Sequence, residues 1–234
     1  MIAREHNSRP KYVSFSGIDG AGKSTQIEAL CARLQQDGLK VRLITFWDDV
    51  ARLTKIREKT GHRIFRGDIG VGTPLAPINR RDKNVRSWLM TGVRMFLYFI
   101  DAISLRSVVN KALRSEVDLV IFDRYTYDEL ANLTLRNPAM RVYARLIMKV
   151  VPRPHISYLL DADPIQARAR KPEYPIEFLH VSRRSYLDLN ELVGGMTVVA
   201  PMSIRAAELA ILEHTRMELS FNVPLMTNDN AMAS

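Results

Sequence analysis

Residues 17–24 read Gly-Ile-Asp-Gly-Ala-Gly-Lys-Ser, which fits the G-x-x-x-x-G-K-S pattern of a phosphate-binding loop. A β-prone run at 12–15 precedes the motif and an amphipathic helical pattern follows it, as such a loop requires. The glycines let backbone N–H groups surround a phosphate at the helix N-terminus. Lys23 can reach the β- and γ-phosphates of a nucleoside triphosphate, and the Ser24 hydroxyl can hold Mg²⁺. The alternative, a chance glycine-rich turn, does not account for this context. The predicted nucleoside triphosphate site consists of Gly17, Gly20, Ala21, Gly22, Lys23, Ser24 and Thr25.

A second chemical element follows the apolar run at 119–122, where Asp123 and Arg124 stand next to each other. Because ligands bind at the carboxyl edge of open α/β sheets, Asp123 is predicted to lie beside the phosphate-binding loop. Its carboxylate can hold a water of Mg²⁺ or orient the attacking group, and Arg124 offers a fixed cation to an acceptor phosphate. The alternative is an ion pair that caps a strand. No second acid follows Asp123 directly and no Asn-Lys-x-Asp is present, which favours transfer to a small acceptor over switch-type hydrolysis.

A basic stretch follows the next predicted strand, with Arg168, Arg170 and Lys171 close together. Such residues suit a mobile lid, predicted at about 164–176, that closes on the triphosphate and spreads the developing charge. A solvated helix face would look the same in sequence.

The apolar runs are spaced as expected for βαβ units. Buried parallel strands are predicted at 12–15, 41–46, 119–122, 156–160 and 196–199. Helices are predicted from the loop to Asp37-Gly38, and at 87–113, 128–150, 176–192 and 203–218, with a break or kink at Asn137-Pro138. The expected fold class is α/β, a three-layer αβα P-loop NTPase fold with a five-stranded parallel sheet and a small Arg-rich lid. One domain is predicted over 1–226, with a frayed tail at 227–234.

The composition indicates the cellular compartment of the protein. Of the 234 residues one is a cysteine, which excludes an internal disulfide and favours a reducing cytosol. The N-terminal residues lack the apolar core of a secretion signal, and the apolar stretch at 95–105 is too short to span a bilayer. A cytoplasmic protein without a membrane segment is predicted.

The net charge of +9 is concentrated in one segment. Residues 52–94 hold eleven Lys and Arg against three Asp and Glu, a local balance of +8, in a stretch punctuated by Gly and Pro. This basic segment, at about 50–94, is predicted to serve an anionic acceptor, because a loop of this length in a compact domain is usually functional or disordered. Solvated surface with some affinity for nucleic acid is the alternative.

These motifs together resemble the thymidylate kinase family of nucleoside monophosphate kinases. The likeness is carried by the loop from Gly17 to Thr25, by Asp123-Arg124-Tyr125, by residues 160–164 with the basic lid, and by 183–187 with Tyr186. It covers most of the chain and is more specific on the donor side than on the acceptor side.

The resemblance implies particular roles. Asp19 would contact the deoxyribose hydroxyl of the acceptor, and Arg124 the acceptor phosphate. Because Gly20 stands where some members carry Arg, the catalytic arginine would come from the lid, with Arg168 and Arg170 as candidates. On the long helix Phe99 would stack on the acceptor base, with Arg94 or Arg106 nearby. ATP and Mg²⁺ would be the cofactors, dTMP the acceptor, and a homodimer the assembly.

The sequence departs from the family pattern at three places. Ser16 replaces the acid that usually precedes the first loop glycine. Phe46-Trp47-Asp48-Asp49 stands where a phosphate-binding arginine is expected after the second strand, and Ile103 occupies the arginine position of the long helix. All three departures concern the acceptor side or its border with the loop.

Three functions follow from these observations. The first is transfer of the γ-phosphoryl group of ATP to dTMP, with Lys23, Asp123, Arg124, Arg168 and Arg170 as the catalytic residues. A deoxynucleoside kinase, or a kinase of another phosphorylated acceptor, keeps the fold and changes the acceptor. A nucleotide-dependent nucleic-acid-binding module ranks third, because the chain lacks a recognised nucleic-acid module.

Overall fold

The computed structural model describes residues 10–50 and 88–219, so the predictions for 1–9, for most of the basic segment and for the tail lie outside these ranges. Its strands are β1 (Lys11–Ser16), β2 (Val41–Thr45), β3 (Leu119–Asp123), β4 (Ile156–Leu160) and β5 (Thr197–Val199). They form one sheet in the order β2-β3-β1-β4-β5, and every pairing is parallel. The predicted five-stranded parallel sheet is confirmed.

The described helices alternate with the strands. They are α1 (Lys23–Gln36), α2 (Trp88–Ala112), α3 (Thr126–Leu130), α4 (Pro138–Val150), α5 (Pro164–Arg170), α6 (Ile176–Val193) and α7 (Ile204–Leu219). A short π-helical turn, Phe46–Val50, follows β2. Gly38 has φ of +80° just beyond α1, the left-handed conformation predicted for its end.

The break predicted at Asn137-Pro138 within the helix at 128–150 is confirmed, because two separate helices occupy that range. The chain leaves α3 after Leu130, and α4 begins at Pro138 as its first residue. The side chain of Asn137 accepts a hydrogen bond from the Ala139 N–H at 2.9 Å, which caps the new helix. Proline lacks the N–H that a continuous helix needs, so Asn-Pro separates the helices instead of bending one. The second strand likewise ends at Thr45, before Phe46.

Helices cover both faces of the sheet, which gives the expected three layers. On one face, apolar residues of α1 and α7 such as Leu30, Leu34 and Ile211 pack against Phe15 and Ile121. On the other face, residues of α2, α4 and α6 cover the opposite side of the same strands. The central strands β1, β3 and β4 are buried on both faces, so they read as continuous apolar runs in the sequence. The edge strands β2 and β5 are partly exposed.

The sheet order brings the functional segments to one edge. In the strand register Phe15 lies opposite Asp123 on β3 and Tyr158 on β4. The carboxyl ends of β1, β3 and β4 therefore meet where the loop at 17–22 begins, which is where ligands bind in such sheets. Within the ranges described, none of the helices is both long and apolar enough to cross a membrane.

Candidate active site

The loop at 17–22 turns sharply because three of its glycines adopt backbone angles that other residues avoid. Gly17, Gly20 and Gly22 have φ of +144°, +81° and +89°. A Cβ on Gly17 would lie 2.6 Å from the Leu160 carbonyl oxygen, and one on Gly20 would lie 2.2 Å from the Ala167 carbonyl oxygen. Glycine is required at these two positions both for the conformation and for the close approach of β4 and α5.

Lys23 begins α1, and its ammonium turns back into the loop. Its Nζ donates to the carbonyl oxygens of Gly17 at 2.8 Å and of Ile18 at 2.9 Å. The side chain is buried, and burial together with the nearby Arg124 lowers its pKa to about 8, against the opposing effect of Asp128, Asp19 and Asp123. The hydroxyls of Ser24 and Thr25 belong to exposed residues of the same first turn.

Arg124 occupies the junction between the loop and the acceptor side. It is the one described residue other than glycine with positive φ, at +71°, and its N–H donates to the Phe15 carbonyl at 3.0 Å. Its guanidinium lies between two carboxylates, 2.6 Å from Asp19 and 3.3 Å from Asp128. Burial acts to lower the pKa of Arg124, but Asp128, Tyr186 and Asp19 outweigh this effect and the pKa is raised. The guanidinium therefore stays positively charged.

Two carboxylates at this edge respond differently to their surroundings. Burial acts to raise the pKa of the Asp19 carboxyl, but Arg124 and Lys23 outweigh it and the pKa is lowered. The pKa of Asp123, at the end of β3, is raised, mainly by burial, although Arg124 and Lys23 oppose the change. The carboxyl of Asp19 therefore stays ionised to a lower pH than the carboxyl of Asp123.

The predicted lid corresponds to α5, which lies directly over the loop. Asp163 caps this helix by accepting from the N–H groups of Ile165 and Gln166, both at 3.0 Å, and Pro164 is its first residue. From the last turn, Arg170 donates to the Gly20 carbonyl at 2.9 Å. A lid arginine is therefore in contact with the phosphate-binding loop.

The structure separates the two candidate lid arginines. Arg170 shares its face of α5 with Gln166, and both line the cleft beside the loop. Arg168 lies on the other face, where it lines a shallow groove with Ile165, Ala169 and Pro172. In this arrangement only Arg170 is seen to reach the loop.

An open cleft lies next to the loop, between α1, α5 and the start of α7. Its walls combine apolar side chains with a few polar groups. Gly22, Thr25, Gln26, Asp161, Met202 and Ile204 are among the residues that line it. Asp161 is held by Arg183 of α6 through two hydrogen bonds of 2.5 and 2.8 Å, so this wall is fixed in position.

The chain is similar in sequence to known proteins, although no protein-family model matches it. A probable thymidylate kinase of Methanosphaera stadtmanae is 28% identical over 184 residues, which cover 76% of this chain and 83% of that protein. A probable thymidylate kinase of Archaeoglobus fulgidus is 26% identical over 226 residues, which cover 93% of this chain and 99% of that protein. These relatives support the resemblance to the thymidylate kinase-like family that the sequence motifs indicate.

The fold agrees with this assignment. The crystal structure of thymidylate kinase from Candida albicans superposes with a TM-score of 0.60 at 16% sequence identity, over 89% of this chain and 92% of that chain. At this identity the likeness concerns the fold alone, and it confirms the P-loop NTPase architecture predicted from the sequence.

The acceptor side of this thymidylate kinase-like chain differs from what the resemblance implies for α2. Phe99 is 43% exposed and lies on the outward face of the helix with Phe96 and Ile103, whereas Tyr98 and Asp101 are buried. Arg106 donates to the Val150 carbonyl at 3.1 Å, so it joins α2 to the end of α4. Arg94, one of the predicted substrate-binding residues, is half-buried. The substrate-binding roles of Phe99 and Arg94 stay predictions.

The two acids after β2 form part of a turn. The carboxylate of Asp49 accepts a hydrogen bond from the Thr45 N–H at 2.8 Å, and Asp48 is exposed beside it. Asp49 thus ends the strand and begins the π-helical turn. The resemblance gave no reason to expect this capping role.

Sequence reasoning missed the residue with the largest number of partners at the site, Asp128. The position lies four residues after Arg124, a spacing at which oppositely charged side chains meet on a helix. That spacing was the available signal. Its burial, which makes the interaction strong, depends on α6 and could not be read from the spacing.

The low pKa of Lys23 gives a prediction for the protein without ligand. Folding lowers this pKa from 10.5 to about 8, so above pH 8 the folded protein releases a proton that the unfolded chain still holds. Stability should therefore increase with pH across this window relative to the variant Lys23→Met, by about 1–2 kcal/mol between pH 7.5 and pH 9.5. Urea unfolding of both proteins at the two pH values measures the difference. Parallel pH dependences of the two proteins would contradict the lowered pKa.

Proposed function

We propose that this chain transfers the γ-phosphoryl group of ATP to dTMP, producing ADP and dTDP. The observation that carries the proposal is the contact between donor and acceptor sides, where Asp19 of the phosphate-binding loop pairs with Arg124 at 2.6 Å. Arg124 is close enough to Lys23 to help lower the pKa of Lys23, and Arg170 contacts the same loop from α5. Three cations around one loop can hold two phosphorylated ligands next to each other.

On the donor side, the loop N–H groups and Lys23 bind the triphosphate, and the base enters the open cleft beside Met202 and Ile204. Apolar walls with a few polar groups suit a nucleotide base. Arg170, which already lies 2.9 Å from the Gly20 carbonyl, is the lid arginine that faces the transferred group. Little covalent chemistry is needed in such a transfer, so positioning and charge neutralisation dominate.

The residues predicted to hold Mg²⁺ fit a hydrated ion. The Ser24 hydroxyl is exposed in the first turn of α1, and Asp123 supplies a half-buried carboxylate at the same edge of the sheet. Mg²⁺ keeps several waters and needs few protein ligands, so two oxygen donors suffice, Asp123 acting through water. When bound, the ion neutralises phosphate charge. The part of the chain that the structure describes contains no group of three or more His, Cys, Asp or Glu arranged for a metal.

On the acceptor side, Arg124 binds the phosphate of dTMP and Asp19 accepts a hydrogen bond from the deoxyribose hydroxyl. Both side chains are partly exposed, so a ligand can reach them. Phe99 and Arg94 are the predicted contacts to the rest of the acceptor. The single cysteine agrees with action in the cytoplasm, where thiols stay reduced.

The function is tested by the release of ADP from Mg·ATP with dTMP, thymidine and other mono- and unphosphorylated nucleosides. We expect turnover with dTMP and little with thymidine. In the variant Lys23→Ala the turnover should fall by roughly 100-fold or more, because the cation that holds the β- and γ-phosphates is gone. Turnover with thymidine alone would identify a deoxynucleoside kinase instead. Salt-sensitive DNA binding without any acceptor-dependent ADP would favour the nucleic-acid module.

The lid offers a matched pair of variants. Because Arg170 contacts the loop and Arg168 lies on the other face of α5, Arg170→Ala should lower kcat by roughly 100-fold, whereas Arg168→Ala should change it by less than about 3-fold. Steady-state kinetics with saturating ATP and dTMP measure both effects. Equal losses, or a larger loss for Arg168→Ala, would remove Arg170 from its proposed role.

The assembly that we propose is a homodimer in which α2 packs against its copy. Its outward face exposes Val93, Phe96 and Ile103, an apolar stripe at helical spacing. Such a stripe on a surface helix is typical of an interface. The resemblance to the family supports the same assembly.

Light scattering of the purified protein tests the dimer. We expect the mass of two chains for the unchanged protein and of one chain for Phe96→Glu, because the charge would be buried in the interface. Ile165→Glu is the control, since Ile165 on the lid is 67% exposed, close to the 63% of Phe96. A single-chain mass for the unchanged protein, or the same mass for both variants, counts against this interface.

A further inference from the structure

Asp128, on the short helix α3, is the most completely bonded carboxylate of the site. Its side chain is 1% exposed. One oxygen, Oδ2, accepts from the Ser16 hydroxyl at 2.7 Å and from the Tyr125 N–H at 3.1 Å. The other, Oδ1, accepts from the Tyr186 hydroxyl at 2.7 Å and from Arg124 Nη1 at 3.3 Å. All of the lone-pair positions of this carboxylate are therefore used.

The donors come from separate parts of the fold. Ser16 is the last residue of β1, directly before the phosphate-binding loop, and Tyr186 belongs to α6. Arg124 and Tyr125 form the turn between β3 and α3. Asp128 thus joins the root of the donor loop and a helix of the outer layer to the acceptor-side arginine. A buried ion that is bonded in this way has one orientation only.

Asp128 and Asp19 do not hold Arg124 in the same way. Asp19 lies in the loop with its side chain 21% exposed, and an acceptor that binds Arg124 meets this carboxylate first. Asp128 is on the protein side of the guanidinium and cannot be displaced without breaking the contacts to Ser16 and Tyr186. The hydrogen bond from the Arg124 N–H to the Phe15 carbonyl fixes the backbone of Arg124. The plane of its guanidinium is then fixed by Asp128.

We propose that Asp128 is a positioning residue, which acts through Arg124 by aiming its guanidinium at the acceptor phosphate. The inference rests on the proposed function, because it assigns a purpose to a contact of the acceptor site. Asp128 does not touch the substrates. Its negative charge and the fixed direction of its two oxygens are both required, since an amide at this position would turn an N–H₂ donor towards another donor.

The test is a double-mutant cycle with steady-state kinetics. Asp128→Asn should raise the KM for dTMP by roughly 10- to 100-fold, with the KM for ATP changed by less than about 3-fold, because a small misalignment of a substrate-binding group is costly. In an Arg124→Ala background the same change should add less than about 2-fold, since residues that act through one another are not additive. Additive losses, or equal losses for both substrates, would overturn the proposal.

Asp188→Asn is the matched control. Asp188 pairs with Arg184 at 2.8 Å with the same sequence separation of four residues, but both side chains are exposed and lie outside the site. It should leave both KM values unchanged. If Asp128→Asn does not fold, Tyr186→Phe takes its place, because it removes one donor to Oδ1 and should raise the KM for dTMP by roughly 2- to 10-fold without affecting ATP.

A measurement without substrate separates this inference from the proposed function. The NMR signals of the Arg124 Nη–H groups, assigned by their loss in Arg124→Lys, should be visible in the ligand-free protein and should be lost in Asp128→Asn. Their persistence in Asp128→Asn would overturn the positioning role. The absence of ADP formation with dTMP in the unchanged protein would instead overturn the proposed acceptor, and the NMR result would still decide on Asp128.

Discussion

The buried positive charge at the carboxyl end of β1 is the constraint on which the rest of this structure depends. Lys23 is buried and Arg124 is mostly buried, and burial acts against the charged form of both. Each is compensated in a different way. Lys23 is bonded to two loop carbonyls, whereas Arg124 is placed between Asp19 and Asp128. A site for phosphate groups needs such cations, and a protein can bury them only with this degree of compensation.

The compensation in turn determines the backbone around the site. Carbonyl oxygens can point at Lys23 only if the loop curls tightly, and the glycines make this possible. The same curl lets the backbone of α5 approach Gly20 closely, so Arg170 can bond to the Gly20 carbonyl from the lid. Arg124 adopts an unfavourable φ of +71°, and in this conformation its N–H donates to the Phe15 carbonyl of β1. Backbone strain of this kind is common where function requires a fixed side chain.

The departures from the family pattern are absorbed locally. Ser16, which replaces an acid before the loop, donates to Asp128, so a carboxylate still lies next to this position but comes from helix α3. The carboxylate of Asp49 accepts a hydrogen bond from the Thr45 N–H at the end of β2. On α2 the position expected for an arginine holds Ile103, which faces outward with Phe96 and Phe99. The departures from the family pattern therefore lie on the acceptor side and at its border with the loop.

The sequence alone determined the nucleotide-binding loop, the five strands and the choice of a phosphotransferase, because glycine spacing and apolar runs are local signals with a direct physical meaning. It also gave both candidate lid arginines but could not rank them, since their distances to the loop depend on how α5 docks. The burial of Asp128 and the outward direction of Phe99 were decided by the tertiary structure. A carboxylate is held in one orientation only when elements distant in sequence enclose it. The four donors to Asp128 belong to residues from Ser16 to Tyr186 along the chain.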